Sequence, residues 1–94
     1  CCREIGEGSV NAASISVRKV VEAALSANAT TVVLAHNHPS GVALPSADDV
    51  QNTRRIAAAL SAVEVKLIDH IVVAEGDFIS MAQSGYRFDE YLLP

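Results

Sequence analysis

"TTVVLAH", residues 30–36, is the stretch that determines the fold class of this chain. It is a short, nearly continuous run of β-branched and apolar residues, which is typical of a strand that is buried on both faces. An amphipathic helix precedes it, because Ser16 is a good N-cap and apolar residues then recur at helical spacing until Asn28. The inner face of this helix is predicted to consist of Val17, Val20, Val21, Ala24 and Leu25. We therefore expect a helix packed against a sheet, with His36 at the C-terminal end of a strand.

A loop and a second helix follow this strand. Residues 37–45 contain Pro39, Gly41 and Pro45, which predicts a loop in which Gly41 takes a positive φ angle. Ser46 then begins a helix. The inner face of the second helix is predicted to consist of Val50, Thr53, Ile56, Ala57, Leu60 and Val63.

Two more strands are predicted after the second helix. "VKLIDHIVVA" (65–74) and "FISMA" (78–82) are separated by "EGD" (75–77), which indicates a hairpin with Gly76 in its turn. At the other end, "CCREIGEG" (1–8) begins as if already inside a strand. Helices and strands thus alternate early and a hairpin ends the order, which predicts an α/β fold with a mixed sheet flanked by helices.

Length and composition indicate a single small domain. The chain has 94 residues, half of them apolar, so we expect one domain over residues 1–94 without a linker. It does not begin with methionine, so we expect a fragment whose upstream strand and helix are missing. Seven basic residues against eleven acidic ones give a net charge of -4. Nucleic acid is therefore an unfavourable partner, because phosphate backbones bind to positive surfaces.

Cysteine usage and hydropathy indicate the cellular compartment in which the protein is expected. Cys1 and Cys2 are adjacent, a spacing that forms neither a disulfide framework nor a zinc knuckle, so we expect reduced thiols. The chain shows no secretion signal and no run approaching the roughly 20 apolar residues of a membrane helix. We expect a cytoplasmic protein without membrane contact.

The histidines at the end of the predicted strand suggest a metal site. Residues two apart in a strand point to the same side, so His36 and His38 can direct both imidazoles at one point if the extended backbone persists through Asn37. The loop returns the chain, and the first turn of the second helix can bring the Asp49 carboxylate to the same place. Two histidines and a carboxylate are a zinc ligand set, and a fourth position left to water makes such a site catalytic.

A structural interpretation of the same residues stands beside the metal site. Ser46-x-x-Asp49 is also a plausible helix start, in which Ser46 caps and the carboxylates of Asp48 and Asp49 favour the positive end of the helix dipole. His70 lies inside a predicted strand. We expect it to be a packed, hydrogen-bonded core histidine, rather than a residue that supports a ligand.

The spacing of these residues resembles a known signature. His36, His38, Ser46 and Asp49 match the pattern His-x-His, seven residues, Ser, two residues, Asp, which is the JAMM signature of MPN (JAB) domain metalloproteases. "NHPSG", "VNAASI" and "IDHIVV" are similar to the RadC branch of that group, bacterial proteins long labelled DNA repair proteins. The resemblance extends from about residue 5 to residue 81. It implies a JAB1/MPN fold with a cytidine-deaminase-like architecture.

The resemblance also implies roles for individual residues. His36, His38 and Asp49 would bind one zinc ion. Ser46 would be a catalytic residue that hydrogen-bonds the metal-bound water or the developing oxyanion, during hydrolysis of a peptide or isopeptide bond in a peptide or protein substrate. The family uses a glutamate as general base on a strand upstream of the histidines, and we expect it before the first residue of this chain. Glu4, Glu7 and Glu22 fit that motif only weakly.

Two other metal-dependent functions lack their characteristic residues in this sequence. In HNH nucleases the three motif residues are not consecutive, and zinc deaminases need His-x-Glu followed by Pro-Cys-x-x-Cys, which this chain lacks. A non-catalytic binding or scaffold domain is the main alternative, because the glutamate is missing. A DNA-repair accessory role rests only on the traditional label. If the upstream segment is missing, exposed apolar surface would favour a homo-oligomer.

Overall fold

The computed structural model describes residues 15–38 and 43–88. Within these ranges the sheet has three strands in the order β1-β2-β3, with β1 parallel to β2 and β2 antiparallel to β3. The expected α/β fold with a mixed sheet is therefore confirmed. The strand expected at residues 1–8 and the Gly41 turn lie outside the described residues. The elements are α1 (Val17–Ser26), β1 (Thr31–Asn37), α2 (Ala47–Ala62), β2 (Lys66–Ala74) and β3 (Asp77–Ser80).

Helix α1 begins and ends where the sequence predicts. The Ser16 hydroxyl accepts a hydrogen bond from the Lys19 N–H at 3.2 Å, and Asn28 beyond the helix end takes a φ of 55°. Val20 and Ala24 are buried, but Leu25 is 54% exposed, so its placement on the inner face is wrong. Consecutive helical residues are rotated by about 100°, which carries Leu25 off the stripe that Ala24 occupies.

Helix α2 packs its predicted face into the core. Ile56 and Leu60 are fully buried, and they cluster with Val72 of β2 and with Met81. Val63, predicted on the same face, is instead the C-cap residue and is 37% exposed. It lies beyond the last helical residue, so helical periodicity no longer determines where its side chain points.

Strand β1 is covered on one face only. Leu34 and His36 are buried on the side of the helices, whereas Val33 is 58% exposed and Ala35 is also exposed. The prediction of a strand buried on both faces is therefore wrong for the described residues, in which β1 is an edge of the sheet. β-Branched residues favour a strand with or without a covering layer, so the apolar run did not distinguish the two cases.

The Asp69 carboxylate of β2 holds the end of β3 and the segment after it. Gly76 takes a φ of 73° in the turn, as expected, and β3 ends before the predicted "FISMA" does. The Asp69 carboxylate accepts hydrogen bonds from the His70 N–H at 2.7 Å, from the Ala82 N–H at 2.9 Å and from the Ser80 hydroxyl. These bonds anchor the segment after β3 to the part of β2 that carries His70.

The two helices of the described ranges are short. α2 is the longer of the two in the described ranges, with 16 residues. Neither helix combines the length and the apolar character that crossing a bilayer requires.

Candidate metal centre

The C-terminal end of β1 directs two imidazoles to one side of the sheet. The strand extends through Asn37, and the His38 N–H still donates to the Val73 carbonyl at 2.6 Å, so the parallel pairing continues past the strand end. The extended backbone that the sequence argument required is therefore present. The rings of His36 and His38 lie with their centroids 5.9 Å apart.

The first turn of α2 brings a buried carboxylate to His38. Asp49 is 0% exposed, and its Oδ2 lies 3.5 Å from His38 Nε2. The same oxygen accepts a hydrogen bond from the Ser46 N–H at 2.8 Å, while the Ser46 hydroxyl accepts one from the Asp49 N–H at 3.1 Å. These reciprocal bonds form a capping box. The helix-cap interpretation of Asp49 is confirmed, and the same residue also lies beside His38.

His36 combines one bonded ring nitrogen with one unpaired nitrogen. Its Nδ1 lies 2.9 Å from Nε2 of His70. Its Nε2 is buried and has no hydrogen-bond partner in the part of the chain that the structure describes. Burial lowers the pKa of His36 against the opposing attraction of the Asp49 carboxylate, so the ring is mainly neutral at pH 7. A neutral imidazole with an unpaired nitrogen is the form that binds a metal.

His70 links this ring to α2. It is 0% exposed, and its Nδ1 lies 2.7 Å from the Thr53 hydroxyl, which donates to the Asp49 carbonyl at 2.6 Å. Burial, together with the neighbouring His36, lowers the pKa of His70 to about 4. The expectation of a packed, hydrogen-bonded core histidine is confirmed, but one of its partners is a predicted metal ligand. The contact of Thr53 with His70 was not predicted, although Thr53 is a polar residue four positions after Asp49 on an otherwise apolar predicted face.

The candidate ligands do not surround a common point as they lie. Within residues 15–38 and 43–88, no three His, Cys, Asp or Glu side chains form a group that could hold a metal ion. The roles of His36, His38 and Asp49 as ligands, and of Ser46 as catalytic residue, therefore stay predictions. Glu22 is an exposed residue of α1 and lies 3.5 Å from Arg18, as expected for a solvated helix face. Glu4 and Glu7 lie outside the described residues.

The fold and the position of the site define the class of this domain. A mixed sheet packed against two helices, with the histidine pair at the end of β1 and the carboxylate at the start of α2, is consistent with a JAB/MPN fold. The family model described as RadC-like JAB domain matches residues 1–86, and the chain belongs to this family.

Similar bacterial proteins support the same assignment. The chain is 50% identical over 80 residues to a "UPF0758 protein" of Vibrio atlanticus. The aligned residues cover 85% of this chain and 36% of that protein. It is 43% identical over 83 residues to a "UPF0758 protein" of Cellvibrio japonicus, and these residues cover 88% of this chain and 37% of that protein. The chain thus spans little more than a third of the length of these relatives.

Proposed function

We propose that this chain is the zinc-binding domain of a metallo-hydrolase, in which His36, His38 and Asp49 bind the metal. The observation that carries the proposal is the buried Nε2 of His36, which has no partner among the described residues. An unpaired polar atom in a protein interior costs about 1–3 kcal/mol, so such an atom calls for a ligand.

The donor atoms near His36 fit zinc. Two imidazoles and one carboxylate are a common ligand set for catalytic zinc sites, and His38 Nε2 already lies 3.5 Å from the Asp49 carboxylate. Because the three side chains do not converge as they lie, binding requires them to rotate. Zinc held by three protein ligands acts as a Lewis acid toward a carbonyl oxygen and makes water a better nucleophile at neutral pH.

Ser46 is the residue that we propose to contact the substrate. Its side chain lies at the exposed start of α2, and its oxygen accepts the hydrogen bond from the Asp49 N–H. A hydroxyl can donate its own hydrogen at the same time. Ser46 is therefore suited to stabilise the oxyanion that forms when an amide carbonyl is attacked. We propose a peptide or isopeptide bond in a peptide or protein as the substrate, cleaved by the longer protein to which such a domain belongs.

A metal-binding domain without catalysis is the second candidate. The specific observation in its favour concerns the glutamates, since hydrolysis of this kind needs a general base beside the attacking water. Glu22, Glu64 and Glu75, the glutamates of the described residues, are all exposed. A DNA-repair role has only the family's traditional label in its favour, and the net charge of -4 offers it no support.

Metal analysis of purified chains tests the proposal. We expect about one zinc per chain after reconstitution, and we expect its loss in each of His36→Ala, His38→Ala and Asp49→Ala. Asp48→Ala is the matched control, because Asp48 is an exposed carboxylate in the same helical turn. It should retain zinc. A wild-type chain that binds no zinc, or ligand variants that bind as much as the control, would rule out the site.

Hydrolysis is tested separately from metal binding. A full-length protein carrying this domain should cleave a peptide or isopeptide substrate only when zinc is present, and Ser46→Ala in that protein should keep the metal and lose the activity. If zinc is bound but no cleavage depends on it, the non-catalytic candidate is the better description.

A further inference from the structure

The rings of His36 and His70 and the hydroxyl of Thr53 form a buried chain of hydrogen bonds that ends at the backbone of Asp49. We infer that Thr53 and His70 are positioning residues that fix the tautomer of His36, so that its Nε2 is unprotonated before any metal arrives. This inference rests on the proposed function, because it assigns a purpose to a ring that is proposed to bind zinc.

The Asp49 carbonyl determines which group donates and which accepts in each of these hydrogen bonds. A carbonyl oxygen has no hydrogen to donate, so the 2.6 Å contact between Thr53 Oγ1 and the Asp49 carbonyl requires the hydroxyl to donate. A hydroxyl has only one hydrogen. Thr53 must therefore accept in its 2.7 Å contact with His70, and the proton of His70 lies on Nδ1.

The protonation of His70 in turn determines that of His36. The His70 ring is fully buried, and its nitrogens contact a hydroxyl and another imidazole, neither of which is an anion that would stabilise a second proton. In this neutral ring Nε2 accepts, so His36 Nδ1 is the donor across the 2.9 Å contact. The proton of His36 is then on Nδ1, and its Nε2 presents an unshared electron pair.

The opposite arrangement conflicts with the environment of His36. If every bond ran the other way, His36 Nε2 would carry a hydrogen, and this buried N–H would have no acceptor among the described residues. Thr53 would also be unable to donate to the Asp49 carbonyl. With Nε2 of His36 unprotonated, Thr53 can donate to the Asp49 carbonyl. The unshared electron pair of Nε2 can then be taken up by a bound cation.

This series of hydrogen bonds connects three elements of the fold, β1, β2 and α2. His36 lies on β1, His70 on β2, and Thr53 lies one helical turn after Asp49 on α2. Histidines that bind metals commonly donate their second ring N–H to a carboxylate, a carbonyl or a water, which fixes the ring and the tautomer. Here a second histidine is the acceptor, and Thr53 determines that it accepts.

The test uses the metal-free 94-residue chain and a matched pair of variants. Thr53→Val removes the hydroxyl with little change in shape, whereas Thr53→Ser keeps it. NMR correlations of the imidazole nitrogens at pH 7 report which nitrogen of His36 carries the proton. We expect Nδ1–H in the wild type and in Thr53→Ser. In Thr53→Val, His70 loses the acceptor for its Nδ1–H, so its proton moves to Nε2 and that of His36 moves to Nε2 as well.

Zinc competition titrations supply the second readout. Loss of a residue that orients a ligand typically weakens metal binding by roughly 10- to 100-fold, and we expect this loss in Thr53→Val but not in Thr53→Ser. A purely structural role for Thr53 would leave the tautomer of His36 unchanged.

The outcomes separate this inference from the proposed function. If His36 of the wild type carries its proton on Nε2, the inference is wrong. This measurement needs no variant, so it decides the question even if Thr53→Val does not fold. A Thr53→Val chain with the wild-type tautomer and zinc affinity overturns it too. Absence of zinc binding in the wild type contradicts the proposed function itself, whatever the tautomer.

Discussion

Replacing Ser46 with alanine separates its capping role from metal binding. The substitution removes the hydroxyl that accepts the Asp49 N–H at 3.1 Å, but it leaves the backbone Ser46 N–H that donates to Asp49 Oδ2 at 2.8 Å. Half of the capping box therefore persists and still holds the carboxylate. We expect Ser46→Ala to bind zinc with wild-type stoichiometry.

The expected loss of stability follows from the burial of Asp49. Loss of an N-cap side chain costs about 0.5–2 kcal/mol. Because Asp49 is 0% exposed, water has little access to replace the lost acceptor, and the cost lies in the upper half of that range, about 1.5 kcal/mol. In a domain of this size, that corresponds to a decrease in Tm of roughly 6–12 °C.

Thermal unfolding followed by circular dichroism in the presence of a chelator measures this decrease. Ser46→Thr is the control, because it keeps a hydroxyl at the N-cap and should lose much less stability. An unchanged Tm in Ser46→Ala would show that the cap contributes nothing. Loss of zinc from Ser46→Ala to the same extent as from Asp49→Ala would refute the separation of the two roles.

Three further predictions concern the core, the hairpin and the metal. Leu60→Ala should lower the free energy of unfolding by about 3–5 kcal/mol in urea titrations, because Leu60 is fully buried. Leu44→Ala, at a 60% exposed position, should change this free energy little. Equal effects of the two substitutions would contradict the assigned core. Gly76→Ala should cost about 1–2 kcal/mol in the same assay through its φ of 73° alone, since no atom lies within 4 Å of the added carbon, and a neutral result would refute this turn geometry. Chelation of a chain held at a free zinc concentration of about 100 times Kd should remove about 2.7 kcal/mol, or roughly 10–20 °C in Tm, and a Tm that does not respond would argue against specific binding.

Local patterns account for the part of the fold that the sequence predicted. The Ser16 and Ser46 caps, the positive φ of Gly76 and the two apolar periodicities each act over a few residues, so the five described elements were predictable in type and order. One error concerns β1, whose second face is not buried in the described residues, and the errors in the two helix faces occur toward the C-terminal ends of the helices. Leu25 and Val63 are exposed although they are apolar, because the edge of a helical stripe depends on which neighbour covers it.

The proximity of the candidate ligands was predictable from the sequence, but the other contacts that they make were not. Strand alternation placed His36 and His38 on one side, and a returning loop suggested that Asp49 lies near them. The sequence offered a helix cap and a metal ligand as alternatives for Asp49. In the structure its Oδ2 is bonded in the capping box and also lies 3.5 Å from His38, so the first role does not exclude the second.

The sequence by itself determined the order of the elements, the helix caps and the spacing of the histidines and the carboxylate, because these depend on backbone preferences of neighbouring residues. Only the tertiary structure decided that His70 contacts both His36 and Thr53, because the three side chains come from different elements. Along the chain, His70 lies 34 residues from His36 and 17 residues from Thr53. It also decided that Val33 is exposed, because the cover of a strand face depends on which layers pack against it. Packing between distant parts of the sequence thus determines that Nε2 of His36 is buried without a partner among the described residues, and it also determines the series of hydrogen bonds on the other side of the ring.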